Sequence, residues 1–508
     1  MKRHFRKPTI LTMAALLVIT AALPVFGEED TQPLKRGWHQ EEDGRWTCLD
    51  SSGDRLIDEW IWENGIHYYL DDEGYMLTDA FLDDGGDTYY LDENGARAEN
   101  RWASASNAER QLSDEDLDTV WYYFGSNGKA KNVEGKALRL TENGETKKYF
   151  FDSDGHMLSG WQEITYLNGD VHTFYLGDEN DGHAHMLWQY LAPPDEDSEV
   201  LKADENNYKY DGLEMFYFGY GGEMTYSDES KLEGEYFVFD LNGVMLKGWQ
   251  PGITPTSPEL GVNKYYDEET GVRASGWIYV YDPDEEAGSG EPHWFYCDKK
   301  TGLAFNQGGK DADLDVDSGN AIAAKRIDGH TYFFDNFGHM LTGMISTEGV
   351  DLGDCPFVEE EYEDLTGGIG GAGNYPAGIY YLSQKDATLG QLAKDGELKL
   401  TQDGEVYAYY LNTLGRAYQN ALVDGCIYGP DGLRIDADTG KDIVTLTDDI
   451  YDESDYRRDG TLKENAEPVA KDGDQIIVGS TGRVRKNGKV KLDGTTYTVK
   501  NYVVVDEE

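Results

Sequence analysis

Positive charge is scarce in this chain. Only 44 Lys and Arg stand against 98 Asp and Glu, a formal net charge of −54 over 508 residues. Such a field repels nucleic acid and anionic membranes, so neither is expected as a partner. It favours solubility and suits cationic ligands or counter-ions. Cysteine is scarce too. Cys48, Cys297, Cys355 and Cys426 lie far apart and form no C-x-x-C. A disulfide framework is therefore not expected. Cys48 and Cys297, inside the ring clusters WTCLD and WFYCD, read as small core residues.

Long apolar runs are missing, with one exception. Residues 10–22 form an apolar stretch behind the basic head Lys2, Arg3, Arg6 and Lys7. Together with the small residues near Gly27, this reads as a signal peptide over 1–27 and a short linker over 28–36. A secreted, extracellular or cell-wall-associated protein is expected, with no transmembrane segment after cleavage. An uncleaved anchor is the rival; Pro24 and the shortness of the run speak against it. Catalytic signatures are missing as well: there is no G-x-S-x-G, Walker-type or H-E-x-x-H motif. Carboxylates occur everywhere, so a pair of them selects nothing. No segment outside the repeats is long enough to build the cleft a glycosidase needs. The chain reads as a non-enzyme without a cofactor.

What the chain does have is a period. YYLDDEG at 68–74 returns as YYLDENG at 89–95, and Trp60, Phe81 and Trp102 step by the same 21 residues. A fixed period of this size means stacked supersecondary units. Each unit needs only its neighbours, so the chain escapes the size limit of a single core. The unit opens on a strand with Trp and turns at a site such as Glu63-Asn64-Gly65. A second strand with two or three aromatics follows, then D-x-x-G and a Met. Asn-Gly before a ring-rich strand predicts a hairpin. The pattern returns as YFFDSDGHMLSGW at 149–161, VFDLNGVMLKGW at 238–249 and YFFDNFGHMLTGM at 332–344. Met76, Met157, Met186, Met224, Met245 and Met340 all follow a motif Gly closely. Polar insertions at 104–118, 193–207, 283–292 and 359–372 read as surface loops on a continuous array. The array is expected over 37–436, then an acidic linker over 437–474 and a small β unit over 475–508. In that unit Arg483, Arg485, Lys486, Lys489 and Lys491 balance the acidic body or, alternatively, meet a polyanion.

These residues resemble the cell-wall-binding repeats of Gram-positive surface proteins, the choline-binding and glucan-binding family. Its pattern is GW, a turn, WYYF, D-x-x-G, x-M and the next GW. The resemblance implies an all-β fold: an elongated β-hairpin solenoid with loop insertions. It also implies ligand sites between consecutive hairpins. Rings of one hairpin and the Trp opening the next would form a cage, with Met beside it. A quaternary ammonium cannot donate hydrogen bonds, so ring faces are its natural partner. The same rings can stack on the C–H face of a sugar.

Carried over, the first cage combines Trp60, Tyr68, Met76 and Phe81. The second uses Phe81, Tyr89 and Trp102, with Arg97 in place of Met. Later junctions hold Tyr149, Met157 and Trp161, then Val238, Met245 and Trp249. Tyr265 and Trp277 form another, with Arg273 for the Met. Met344 stands where a Trp would follow Gly343. The implied partners are a cell-wall polymer or extracellular polysaccharide, including choline groups. A host-facing adhesin, a toxin-tail-like receptor-binding array and a structural spacer remain open. Rings alternate in and out along a strand, so roughly half must be core.

Two metal readings stand beside this. Asp311, Asp313, Asp315 and Asp317 alternate ahead of Ser-Gly, which suits calcium. The Gly register and distal Glu of an EF-hand are missing, so a solvated acidic loop is the favoured reading. His183-x-His185 has zinc-ligand chemistry but sits next to a turn, where it reads as incidental.

Overall fold

The computed structural model describes residues 36–106, 119–142, 144–195, 198, 200, 210, 212–226, 229–251, 263–282, 290–305, 322–335, 337–352, 355–358, 369–371 and 375–508. The signal segment and the aspartates at 311–317 lie outside the described residues. The chain divides into two units, Met1–His185 and Met186–Glu508.

The described residues of the first unit form six antiparallel hairpins. They pair Gly37–Gln40 with Trp46–Leu49, Glu59–Glu63 with Ile66–Leu70, and Ala80–Asp84 with Asp87–Leu91. Arg101–Ser106 then pairs with Thr119–Phe124, Leu138–Glu142 with Glu145–Tyr149, and Trp161–Thr165 with Val171–Tyr175. Each is a sheet of its own. A lone two-stranded hairpin is marginal in water, so these must lean on one another.

The contact that joins them is a backbone staple in the tail of each hairpin. Met76 donates its N–H to the Trp46 carbonyl of the preceding hairpin at 2.8 Å. The next residue, Leu77, donates to Tyr69 of its own hairpin at 2.9 Å. Arg97 to His67 at 2.8 Å and Ala98 to Tyr90 at 2.7 Å repeat the staple one hairpin on.

The D-x-x-G turn presents that tail. Asp71 Oδ1 accepts the N–H groups of Glu73 and Tyr75 at 3.0 and 2.7 Å. Asp92 does the same for Asn94 and Ala96. Such side-chain acceptors stabilise a tight turn locally. Gly95 closes its turn at φ +76°, and a Cβ there would stand 2.7 Å from Met76 Sδ. Glycine alone combines the left-handed backbone with room for the turn to settle on the methionine below.

The second unit continues the pattern. Its hairpins include Leu187–Leu191 with Glu214–Phe218, Glu229–Leu232 with Glu235–Val238, and Gly248–Pro251 with Asn263–Tyr266. Gly276–Val280 pairs with His293–Cys297, Ile322–Ile327 with His330–Phe334, and Gly343–Ser346 with Ile379–Leu382. Gly396–Gln402 with Glu405–Leu411 and Ala421–Val423 with Cys426–Tyr428 follow. The staple persists, as in Met340 to Trp294 and Arg434 to Ala408, both at 2.8 Å. All four cysteines are buried and unbridged. Among the described residues helix is confined to the 3-10 turns Asp386–Thr388 and Glu453–Asp455. No helix there is long and apolar enough to cross a membrane.

The segment expected as an acidic linker is structured. Lys441–Thr445 pairs along its length with Gln475–Gly479. It forms the edge of a five-stranded sheet completed by Val503–Glu507, Thr495–Lys500 and Gly488–Leu492. Leu446, Ile450 and Ala470 are buried against Ile476 and Val478. The acids that suggested a linker sit in turns and at exposed positions. A few well-placed apolar residues are enough to bind the segment to the sheet.

Candidate functional site

On five of the described hairpins an indole faces an aromatic directly across the ladder. The pairs are Trp60 with Tyr69, Trp102 with Tyr123, Trp188 with Tyr217, Trp249 with Tyr265 and Trp277 with Tyr296. Their ring centroids lie 5.0–5.2 Å apart, at steep interplanar angles. This edge-to-face arrangement is the one the ring quadrupole favours.

Each indole then takes a second ring from the hairpin that follows it. Trp60 meets Tyr89 at 4.9 Å, Trp102 meets Tyr149 at 4.9 Å, and Trp188 meets Phe237 at 4.7 Å. Trp249 meets Phe295 at 4.9 Å and Trp277 meets Tyr332 at 4.8 Å. Trp38 with Tyr68, at 5.3 Å, begins the series. The third member comes from the stapled tail of that following hairpin. Met245 packs with Trp188 and Phe237, and Met340 with Trp277 and Tyr332. Met76 and Met157 hold the same register, bridged to Leu70 and Phe151 as Met340 is to Phe334. A junction is therefore a Trp, a ring from the next hairpin and that hairpin's tail residue.

Residues 56–102 match the choline-binding repeat family. The hairpins of this segment are choline-binding repeats. The chain is also 26% identical over 169 residues to Glucosyltransferase-S of Streptococcus mutans. That match covers 33% of this chain and 9% of the enzyme, so the chain spans a small part of its curated relative. Among solved structures it is similar to choline binding protein F of Streptococcus pneumoniae. The identity is 17%, the TM-score 0.30, and the cover 74% of this chain and 98% of that one. It is similar too to the modular autolysin LytC of Streptococcus pneumoniae, at 18% identity and TM-score 0.30. There the cover is 66% of this chain and 60% of that one.

In these repeats the junction runs opposite to the sequence expectation. The expected cage used the Trp opening the next hairpin. Tyr68 lies instead with Trp38, and Tyr149 with Trp102 rather than Trp161. Met245 packs with Trp188, whereas Trp249 lies between Tyr265 and Phe295. Tyr265 therefore belongs to Trp249, and Trp277 to Tyr296 and Tyr332. The reason is the staple, which ties each tail back to the preceding second strand. Phe81 joins Tyr90 and Tyr122 in an apolar cluster with Ala130 at the tail position. Trp161 meets Tyr175 across its own ladder at 5.2 Å. Trp38, Trp188, Phe237, Phe295, Tyr332 and Met340 were missed. Equal spacing reads the same forwards and backwards, so only the staple could have found them.

The junctions also vary in chemistry. Arg97 takes a tail position with its guanidinium 5.5 Å from the Trp60 ring and 2.5 Å from Glu99. At Arg273 all three members change. Glu229 faces Val238 at the register where Trp188 faces Tyr217. Lys264 takes the ring position. Glu229 then accepts from Lys264 at 3.0 Å, Arg273 at 2.9 Å and the Tyr266 hydroxyl at 2.8 Å. Burial pushes the Glu229 carboxyl up, but hydrogen bonds from Lys264, Arg273 and Tyr266 outweigh it and hold the group below its ordinary range. Glu397 and Arg434, 2.6 Å apart, repeat the exchange.

An acidic cleft of about 510 Å³ opens beside Trp60 and Tyr69, edged by Asp58, Asp72, Asp83 and Asp84. Trp60 Nε1 donates to Asp84 at 2.9 Å, and the Tyr69 hydroxyl donates to Asp58. Burial, then the Asp58 contact, pushes the Tyr69 phenol up to about 12. At neutral pH the phenol stays neutral. Ring faces with carboxylates close by suit a cation.

Proposed function

We propose that the chain is a non-catalytic, secreted surface protein that holds choline-bearing cell-wall polymer at its Trp–ring–Met junctions. The observation that carries this is the recurrence of one arrangement at Trp38/Tyr68/Met76, Trp102/Tyr149/Met157, Trp188/Phe237/Met245 and Trp277/Tyr332/Met340. Each of these indoles is part-exposed. Two rings at a steep angle with a polarizable thioether beside them form an apolar, electron-rich notch. A trimethylammonium group fits such a notch through cation–π attraction. The match to the choline-binding repeat family supports the same reading, as does the acidic charge of the chain. One junction is weak, because each ring face contributes about 0.5–2 kcal/mol. Several junctions on a repeating polymer bind by avidity.

The test is retention on a choline-substituted resin with free choline or dextran as competitor. Release by choline, and weaker retention of Trp102→Ala and Trp277→Ala folded by circular dichroism, is expected. The match to a glucosyltransferase favours a second reading, an extracellular glucan. Release by dextran and not by choline would establish that reading in place of the first.

A further inference from the structure

We propose that Asp282, His293 and His339 form a binding site for a divalent transition metal ion, with Zn²⁺ the best match. Nothing in choline recognition requires these three residues. They come from separate stretches of chain and are brought together by the hairpin stack. Asp282 follows the strand Gly276–Val280, and His293 opens its partner strand opposite Val280. His339 belongs to the turn of the next hairpin. The staple from Met340 to the Trp294 carbonyl, at 2.8 Å, sets that turn beside His293. The donor atoms of all three residues lie within 4.8 Å of one another.

The donor chemistry points to zinc. Two imidazoles and one carboxylate are ligands that Zn²⁺ accepts, leaving a fourth tetrahedral position for water. With bonds of about 2.0–2.1 Å, tetrahedral ligands stand roughly 3.3 Å apart. His339 Nε2 lies 2.7 Å from Asp282 Oδ1, so an ion need widen this contact only slightly. The opposite ring atom, His339 Nδ1, is 2.9 Å from Asp335 Oδ2. A carboxylate behind a ligating histidine fixes the ring and directs its other nitrogen to the metal. Asp335 is itself fixed, because its Oδ1 accepts the His339 backbone N–H at 2.8 Å. Phe295 and Phe337 pack on His339 at 5.3 and 5.8 Å.

The two imidazoles lie face to face, with centroids 3.9 Å apart and planes 14° from parallel. Parallel rings do not aim their lone pairs at one point. Binding therefore turns the His293 ring about χ2, a broad torsion with low barriers. His293 is free to make that turn in a way His339, held by Asp335 and the two Phe rings, is not. The ion would link Asp282 and His293 to the turn of the following hairpin.

Two further clusters, Asp181/His183/His185 and Asp152/Asp154/His156, bring similar groups together. In the first, Asp181 already takes up both histidines and has Lys147 at 3.8 Å. That cation disfavours a second positive ion.

The experiment is titration of the full chain with Zn²⁺, and with Co²⁺ as a spectroscopic probe. It compares the native chain with His293→Ala, His339→Gln, Asp335→Asn and the double variant His183→Ala/His185→Ala. The expected result is one ion bound with tetrahedral Co²⁺ absorption. That signal should vanish in His293→Ala and weaken about tenfold or more in Asp335→Asn, which removes no ligand. It should be unchanged in the His183/His185 variant. His293 is only part-buried, so its alanine variant should keep the native circular dichroism if His339→Gln does not. An unchanged signal in His293→Ala, or loss of it only in the His183/His185 variant, would overturn the assignment.

Discussion

The junction at Trp277 and the junction at Glu229 share one backbone plan and carry opposite chemistry. At the first, Trp277, Tyr332 and Met340 make a part-exposed aromatic notch. At the second, Glu229, Lys264 and Arg273 occupy the same three positions and satisfy one another. The staple is present in both, as Met340 to Trp294 and Arg273 to Tyr236. The stack is thus held by backbone bonds and turn geometry, and the side chains at the junction are left to vary. One variant presents ring faces to a cation. The other supplies its own cation, Arg273, whose guanidinium also lies 3.9 Å over Tyr236. Arg97 on Trp60 is an intermediate case, with the indole kept and the cation internal.

Several changes would break or sharpen this contrast. The largest effect is expected for Trp277→Ala, which removes contacts with Tyr296, Tyr332 and Phe334. A loss of about 3 kcal/mol is expected, the low end for a large aromatic because Trp277 is part-exposed. Denaturant unfolding monitored by circular dichroism would measure it. Glu229→Gln should cost less, about 2 kcal/mol, through weakened charge-assisted hydrogen bonds to Lys264 and Arg273. If Glu229→Gln were as stable as the native chain, the ion network would add nothing to the stack.

Acid separates the junctions further. The folded-state pKa of Glu229 is depressed. Its contribution is therefore present above the ordinary glutamate range and is lost as pH falls through the folded value. Below about pH 4 the Glu229 junction should loosen while the Trp277 junction does not. Hydrogen exchange resolved by segment would show protection falling first around residues 229–238. Simultaneous loss at both would contradict the assignment of the two chemistries.

A smaller effect tests the scaffold they share. Gly95→Ala forces a side chain into a φ of +76° and against Met76. A loss of more than about 1 kcal/mol is expected. In a Met76→Ala background the clash is gone and only the backbone strain remains, so the Gly95→Ala step should cost less there. An equal cost in both backgrounds would mean that the turn does not rest on the methionine.

Most of the scaffold was legible in the sequence. Trp60, Phe81 and Trp102, the doubled aromatics and D-x-x-G announced hairpins, because turn residues and alternating rings act locally. The direction of each junction was not legible. Tyr68 is followed by Phe81 as regularly as it is preceded by Trp38, and only a long-range hydrogen bond decides between them. Glu229 and Lys264 could not be placed either, since neither resembles the residue whose position it fills. The strand Lys441–Thr445 was hidden by the acids around it. Arg97 and Arg273 were visible as departures from Met. The partners that make sense of them, Glu99 and Glu229, required the fold.

The most direct test is to count choline sites by isothermal titration in three chains. Met157→Arg places a cation in an aromatic junction, at a tail position where Arg97, Arg273 and Arg434 show that arginine is accommodated. The triple variant Glu229→Trp/Lys264→Tyr/Arg273→Met converts the ion network into an aromatic junction. Relative to the native chain, Met157→Arg should lose one site and the triple variant should gain one. The same number of sites in all three folded chains would contradict the claim that the Trp–ring–Met junction is where the ligand is held.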